Sequence, residues 1–353
     1  MKICDRLVFL NISRIEFFLI YESIVELHLN YVVEVICDSS YRDLRYDNAI
    51  TQDQNSIQTG VDSSQRSYKS LSFDDVVIIY NRVPKTASTS FVGLVYDLCK
   101  QNKYHVLHIN VTNNMHTLTL PNQIQFANNI SEWTAKKPAF YHGHVAFLNF
   151  EKFGAKQMPL YINLLRKPLD RFVSYYYFLR YGDNFRPHLI RKKHGDTKTF
   201  DDCIDAGQPD CDPNNMWLQI PFLCGHDPAC WEIGNSWALE EAKRNLQKHY
   251  LLVGVTEELT EFIEILQIVL PRFFKGAYNS FLHNNKSHLR QTTQKINPRP
   301  ETVDKIQKSV VWKMENELYN FALTHFHAVK KRLINASPQD ANQRFMYEKI
   351  RPK

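Results

Sequence analysis

An α/β fold with a central parallel sheet flanked by helices is the expectation, and three observations carry it. Short apolar runs such as Val76-Val77-Ile78-Ile79-Tyr80 and Leu160-Tyr161-Ile162-Asn163-Leu164-Leu165 suit strands covered on both faces. Segments with apolar residues at helical spacing separate these runs, and such alternation favours parallel strands joined by crossover helices. The 353 residues, 44% hydrophobic and 13% aromatic, can bury a sizeable core. Eighteen Tyr and 22 Phe argue against disorder over most of the chain.

Residues 1–40 are apolar but interrupted by Arg14, Glu16, Glu22, Glu26, His28 and Glu34. No uncharged run there reaches the ~18 residues of a membrane span, so a helix and an altered anchor both stay open. Residues 41–69 are rich in Ser, Asp, Gln and Arg and read as a polar stem, with a domain over 70–353. The spacing then predicts a strand at 76–80, a helix over 88–100 with Phe91, Leu94, Val95 and Leu98 on one stripe, and a short strand at 104–107. A helix over 119–130 and strands at 139–147, 160–165 and 251–255 follow. One long amphipathic helix over 303–334 places Ile306, Val310, Met314, Leu318, Phe321 and Val329 near one stripe.

The first strand runs into Arg82-Val83-Pro84-Lys85-Thr86-Ala87-Ser88-Thr89 and then into a helix. Free N–H groups at that helix start, the positive end of its dipole and Lys85 would converge on one anion. A Walker loop needs glycine before its lysine, and Pro84 stands there, so another anion is favoured over a nucleoside triphosphate. An ordinary strand-to-helix turn with a solvated lysine is the bland alternative.

A second such turn leads from Leu165 through Arg166-Lys167-Pro168 to Ser174. An arginine fork plus a hydroxyl suits a phosphate monoester at a strand's carboxyl end. Arg166 or Arg171 could instead pair with Asp170. Two such turns in one sheet match a ligand with two separated anionic groups. In Tyr141-His142-Gly143-His144-Val145, an extended chain points His142 and His144 to one face. Metal ligation, a structural histidine pair and general base catalysis are all open, and a third metal ligand is not evident.

The 43 Lys and Arg exceed the 37 Asp and Glu by six, which suggests an acidic partner. Arg166, Lys167, Arg171, Arg180, Arg186, Arg191, Lys192, Lys193 and Lys198 crowd one stretch; a solvated face is the default, although arginines suit bidentate contacts to sulfate or carboxylate. Cys203, Cys211, Cys224 and Cys230 are spaced too widely for a zinc pattern, and local disulfides fit better. Sequons stand at Asn11, Asn110, Asn129, Asn285 and Asn335, and with the cysteines they favour an oxidising lumen.

The Lys85 loop, the Arg166-to-Ser174 turn and the His142-Gly143-His144 strand together resemble the Golgi sulfotransferases that use 3′-phosphoadenosine 5′-phosphosulfate (PAPS), most closely those acting on the 2-hydroxyl of uronates in heparan sulfate. The likeness runs from about residue 75 to the C-terminus and includes Ser174-Tyr175-Tyr176-Tyr177-Phe178, Trp217-Leu218-Gln219-Ile220-Pro221 and Lys286-Ser287-His288-Leu289-Arg290. It implies a P-loop-like sulfotransferase fold and transfer of a sulfuryl group from PAPS to iduronate, less often glucuronate, without a metal. Lys85, Thr86, Ala87, Ser88 and Thr89 would cradle the 5′-phosphosulfate, and Arg166 and Ser174 would hold the 3′-phosphate. Ser287, Thr292 and Lys295 would close over the nucleotide. His144 would be the catalytic base, with His142 also required.

The resemblance further assigns Arg82, Arg186, Arg191 and Arg290 to an acceptor groove for a heparan sulfate chain rather than a nucleic acid. It pairs Cys203 with Cys211 and Cys224 with Cys230. It implies a lumenal glycoprotein, with Asn110 and Asn129 as acceptors, held in the Golgi membrane by an N-terminal anchor that is not recognisable in residues 1–40. A homotrimer is also implied, joined through a tail over about 336–353; packing of that tail on its own subunit is the alternative. Three rivals remain: a uronyl 2-O-sulfotransferase acting on dermatan or chondroitin sulfate, a non-catalytic heparin-binding protein, and an ATP-dependent kinase, which Pro84 disfavours.

Overall fold

β1 (Val77–Asn81) forms the middle of a five-stranded sheet because all five of its residues are buried and can be covered on both faces. A computed structural model describes residues 75–111, 115–155, 158–283, 292 and 294–335. The other strands are β2 (His105–Ile109), β3 (Ala139–Gly143), β4 (Leu160–Leu165) and β5 (Tyr250–Val255). They pair in the order β2-β3-β1-β4-β5, every neighbour parallel.

Helices supply the crossovers. α1 (Ser88–Gln101) follows β1, α2 (Leu120–Glu132) precedes β3, and α3 (Pro168–Tyr181) follows β4. Then come α4 (Phe200–Asp205), α5 (Gln219–Cys224) and α6 (Ser236–His249), which leads into β5. After β5 the chain forms α7 (Leu259–Val269), α8 (Pro271–Phe274), α9 (Ala277–His283), α10 (Pro300–Gln307) and α11 (Val310–Asn335).

Strand periodicity sends alternate β1 side chains to opposite faces. Tyr80 meets Phe91 of α1 edge-on at 5.1 Å between centroids, and Phe91 also contacts Phe262 of α7 and Phe274 of α8. Val77 and Ile79 join the larger cluster on the other side, with Tyr161, Phe172, Leu246 and Leu318. Inside the sheet, Asn163 Nδ2 donates to the Asn81 carbonyl at 2.9 Å, and Tyr250 donates to Asn81 Oδ1 at 3.0 Å. Asn81 Nδ2 in turn donates to the Phe222 carbonyl at 3.2 Å. This buried, satisfied network pins β1 and β4 shortly before Arg82 and Arg166.

Two expectations about elements need correction. The strand expected over 139–147 stops at Gly143, where a Cβ would lie 2.5 Å from the Ile109 carbonyl oxygen. Beyond it the backbone turns to other partners, Ala146 N donating to His116 O and Phe147 N to Phe222 O. The long helix expected over 303–334 is two helices. Ser309 interrupts it: its hydroxyl donates to Ile306 O at 2.7 Å and accepts from Trp312 N at 3.2 Å, starting α11 afresh. The restart rotates the stripe, so that Val310 is exposed while Val311, Glu315, Leu318, Ala322, Phe326 and Val329 are buried. No helix among the described residues is long and apolar enough to cross a membrane. Residues 1–40, the stem over 41–69 and the tail over 336–353 lie outside the described residues.

Candidate active site

The chain leaves β1 for β2 and β3 on one side of the sheet and then crosses to β4 on the other. Open α/β sheets bind ligands at such a switch point, beyond the carboxyl ends of the strands. Here the two turns meet, since Arg166 donates from its guanidinium to the Lys85 carbonyl at 3.3 Å. A cavity of about 620 Å³ opens over them.

The Lys85 loop forms one wall. Lys85 and Ala87 adopt positive φ of 70° and 55° although neither is glycine, a strain that recurs where a loop is shaped for a ligand. Ala87 is the N-cap of α1, no side chain caps the helix, and its first turn carries no acidic residue. Ser88, Thr89 and also Ser90 line the cavity there, so backbone donors and the positive helix end face one space. Thr86 is fully buried and donates its hydroxyl to Val83 O at 2.9 Å, bracing the loop from within. Lys85 Nζ lies 3.4 Å from Thr292 Oγ1 and 4.1 Å from the centre of the Phe178 ring.

Arg166, Ser174 and Lys295 line the same cavity. Burial, and then the charge of Arg166, push the Lys295 ammonium below its usual range, with Asp170 acting against them. Among the described residues no lining side chain is a carboxylate, whereas Lys85, Arg166 and Lys295 are all cationic. Such a lining suits anions.

His144 reaches the same cavity and His142 does not. His144 bonds through Nδ1 to the Arg82 carbonyl at 2.8 Å, and its Nε2 lies 3.0 Å from the Arg82 guanidinium. His142 is buried against α1, with Nε2 3.0 Å from the Tyr96 hydroxyl and its ring 5.0 Å from that of His108. Both imidazoles are held down to about 3, first by burial and then by the charge of Arg82. The two therefore part because β3 ends between them. No third metal ligand joins them among the described residues.

The basic stretch divides by burial. Arg171 and Arg180 are fully buried and structural: Arg171 donates to Met216 O at 2.7 Å, and Arg180 pairs with Asp196 at 2.6 Å and Asp210 at 3.0 Å. Lys193 also pairs with Asp210 at 3.1 Å. Arg191 stacks 4.2 Å from the centre of the same Phe178 ring that carries Lys85, and sits 3.7 Å from Asp183. Arg186 is exposed, beside the Phe185 ring at 6.0 Å. Ser287 and Arg290 lie outside the described residues.

Residues 69–322 match the Sulfotransferase family. The chain belongs to the sulfotransferase family. This sulfotransferase is 60% identical over 280 residues to "Heparin sulfate O-sulfotransferase" of Drosophila melanogaster, covering 79% of this chain and 80% of that one. It is 56% identical over 283 residues to "Heparan sulfate 2-O-sulfotransferase 1" of Gallus gallus and 54% identical over 283 residues to the protein of that name from Homo sapiens, with the same 79% and 80% coverage in each case.

The sulfotransferase also contains the two disulfides, Cys203–Cys211 and Cys224–Cys230. Asn110 and Asn129 are exposed. Two site-shaping residues had no role in the sequence reading. Gln219, within a quoted motif, accepts from Arg166 N at 2.9 Å and donates to Arg166 O at 3.0 Å. Glu315, on α11, is fully buried and accepts from Leu218 N at 2.8 Å, Ile220 N at 3.2 Å and Gln219 Nε2 at 3.2 Å. Burial drives its carboxyl up, and the charge of Arg171 and those three donors oppose the rise.

Proposed function

We propose that this sulfotransferase moves a sulfuryl group from PAPS to the 2-hydroxyl of iduronate, less often glucuronate, in heparan sulfate, with His144 as general base. The observation that carries the reading is one cavity lined by Lys85, Arg166 and Lys295, with no carboxylate among its described lining residues, and by His144, whose Nε2 lies 3.0 Å from the Arg82 guanidinium. A donor with two anionic groups suits such a lining. The relatives named for heparan sulfate 2-O-sulfation support the acceptor.

In this reading Lys85 and the donors at residues 86–89 hold the 5′-phosphosulfate, and Arg166, Ser174 and Lys295 hold the 3′-phosphate. Bound there, PAPS supplies the sulfuryl group. His144 Nε2 takes the proton of the acceptor hydroxyl as that oxygen bonds to sulfur. The bond from sulfur to the 5′-phosphate oxygen breaks, and Lys85 offsets the charge left on that oxygen. Adenosine 3′,5′-bisphosphate departs. Charge stabilisation and positioning are what this class of transfer requires, and the chain offers both. Arg82, Arg186 and Arg191 supply positive charge for the carboxylates and sulfates of the acceptor.

Two disulfides and two exposed sequons support residence in an oxidising lumen, the Golgi in this reading. Membrane anchoring and a homotrimer rest on the family resemblance; sedimentation of the full chain tests the trimer. The decisive assay offers radiolabelled PAPS with desulfated, N-sulfated heparan and, separately, desulfated dermatan. Label at uronate C2 of heparan is expected. Label on dermatan alone would favour the uronyl rival, and nucleotide binding with no transfer to either would overturn the enzymatic reading.

A further inference from the structure

Both ring nitrogens of His144 are engaged by one residue. The Arg82 carbonyl stands 2.8 Å from Nδ1, and the Arg82 guanidinium stands 3.0 Å from Nε2. A guanidinium can only donate, so Nε2 carries the lone pair and Nδ1–H donates to the carbonyl. That is the tautomer a base acting through Nε2 needs. Its lone pair, however, is already occupied.

The two halves of Arg82 differ in freedom. Its main chain is fixed, because Arg82 N donates to Gly143 O at 2.8 Å and Asn81 before it belongs to the buried network. Its side chain is a long arm, only partly buried, beside a histidine that lines the cavity. The carbonyl hold on Nδ1 therefore survives a swing of the guanidinium. A carboxylate or sulfate offers the guanidinium an opposite charge and two acceptor oxygens for a bidentate pair, neither of which a neutral imidazole nitrogen supplies, so an acceptor anion outcompetes the imidazole.

We propose that Arg82 caps the base in the free enzyme, and that an anionic group of the acceptor, carboxylate or N-sulfate, draws the guanidinium away and frees Nε2 for the hydroxyl proton. The proposal rests on His144 being the base. It makes recognition of acceptor charge a condition of the chemical step, rather than a contribution to binding alone. The electrostatics point the same way. Burial and then Arg82 hold the His144 imidazole down to about 3; His116, beyond β2, and His108, on β2, push in the same direction, and only the bond to the Arg82 carbonyl opposes them. Pairing Arg82 with an anion removes much of its effect and brings the base nearer the pH at which it must work.

The test compares wild type with Arg82→Met, which cannot donate. The first reading is the ionisation of His144 by imidazole NMR, with adenosine 3′,5′-bisphosphate bound and no acceptor. The second is kcat on N-sulfated heparan oligosaccharide, its carboxyl-reduced form and its N-acetylated form, which separates the two anion sources. In wild type, removal of the operative anion should lower kcat about tenfold or more, within the range of general base effects. In Arg82→Met that dependence should shrink to about twofold while KM stays high, and His144 should titrate about one pH unit higher. Equal anion dependence of kcat in both proteins, or an unmoved His144 titration, overturns the cap. Should Arg82→Met fail to bind the bisphosphate, Arg82→Leu, which likewise cannot donate, takes its place, and the same two outcomes decide. His144→Ala keeps the two readings apart: normal transfer there overturns the base itself, whereas an inactive His144→Ala with unchanged Arg82 variants overturns only the cap.

Discussion

Both main-chain polar groups of Arg166 are held by the side-chain amide of Gln219, which accepts from Arg166 N at 2.9 Å and donates to Arg166 O at 3.0 Å. An amide can make this pair of bonds in only one of its two orientations. Glu315 selects it, because its carboxylate can only accept and faces Gln219 Nε2 at 3.2 Å. In Glu315→Gln the new amide can keep its oxygen toward Leu218 N and Ile220 N, but its NH₂ then meets the NH₂ of Gln219. Either that clash persists or Gln219 turns and both Arg166 bonds are lost. Adenosine 3′,5′-bisphosphate should bind about tenfold more weakly to this variant, the scale of one or two hydrogen bonds, while the acceptor KM changes little. Calorimetric titration checks it; unchanged bisphosphate affinity in a folded Glu315→Gln would show that Arg166 does not depend on the clamp.

The roles proposed for Lys85 and His144 differ, and their variants should fail differently. In the proposed function Lys85 holds the donor and faces the charge that develops on the leaving oxygen, so Lys85→Ala should lose rate by about 10²–10³ and some nucleotide affinity with it. His144→Ala should abolish measurable transfer and leave bisphosphate affinity nearly intact. Single-turnover rates and equilibrium binding, measured on the same preparations, separate the two. Normal turnover in His144→Ala would remove the base assignment.

The Phe178 ring carries both Lys85, at 4.1 Å, and Arg191, at 4.2 Å. Each contact contributes about 0.5–2 kcal/mol, and together they order two long side chains that the proposed function gives to different substrates. Arg191→Ala should raise the acceptor KM and spare the nucleotide. Phe178→Leu should weaken both, by a few-fold each. An acceptor KM unchanged in Arg191→Ala would count against its place in the groove.

Much of this site was legible because its signals are local. The apolar run of β1, the hydroxyl cluster at the start of α1 and the Arg166 turn lie within a dozen residues of the chemistry they imply, and the structure joins them through the bond from Arg166 to the Lys85 carbonyl. What sequence could not supply was long-range. Glu315 is 96 residues from Gln219, and a carboxylate on an amphipathic helix reads as a solvated face until packing buries it. Arg171 and Arg180 misled for the same reason, since a run of basic residues gives no sign of which are buried. The separate settings of His142 and His144 follow from the end of β3, which the approach of Ile109 to Gly143 decides.

His142 makes the fold sensitive to acid. It is 3% exposed, its Nε2 lies 3.0 Å from the Tyr96 hydroxyl, and burial, then the charges of Arg82, His108 and His144, hold it down to about 3. In the unfolded chain the same imidazole titrates near ~6.5. Between those two values the unfolded chain binds the proton and the folded one does not, so stability is full above about pH 6.5 and is lost progressively as pH falls toward 3. One such group gives a slope of at most about 1.4 kcal/mol per pH unit. Since only Gly143, the last residue of β3, separates His142 from His144, protonation of the first would also loosen the support of the second. Urea unfolding at pH 7.0, 6.0 and 5.0 should therefore show wild type losing stability faster than His142→Gln, which keeps a polar partner for Tyr96 but does not titrate. Parallel losses in the two proteins would mean that His142 accepts its proton in place, and that the acid sensitivity lies elsewhere.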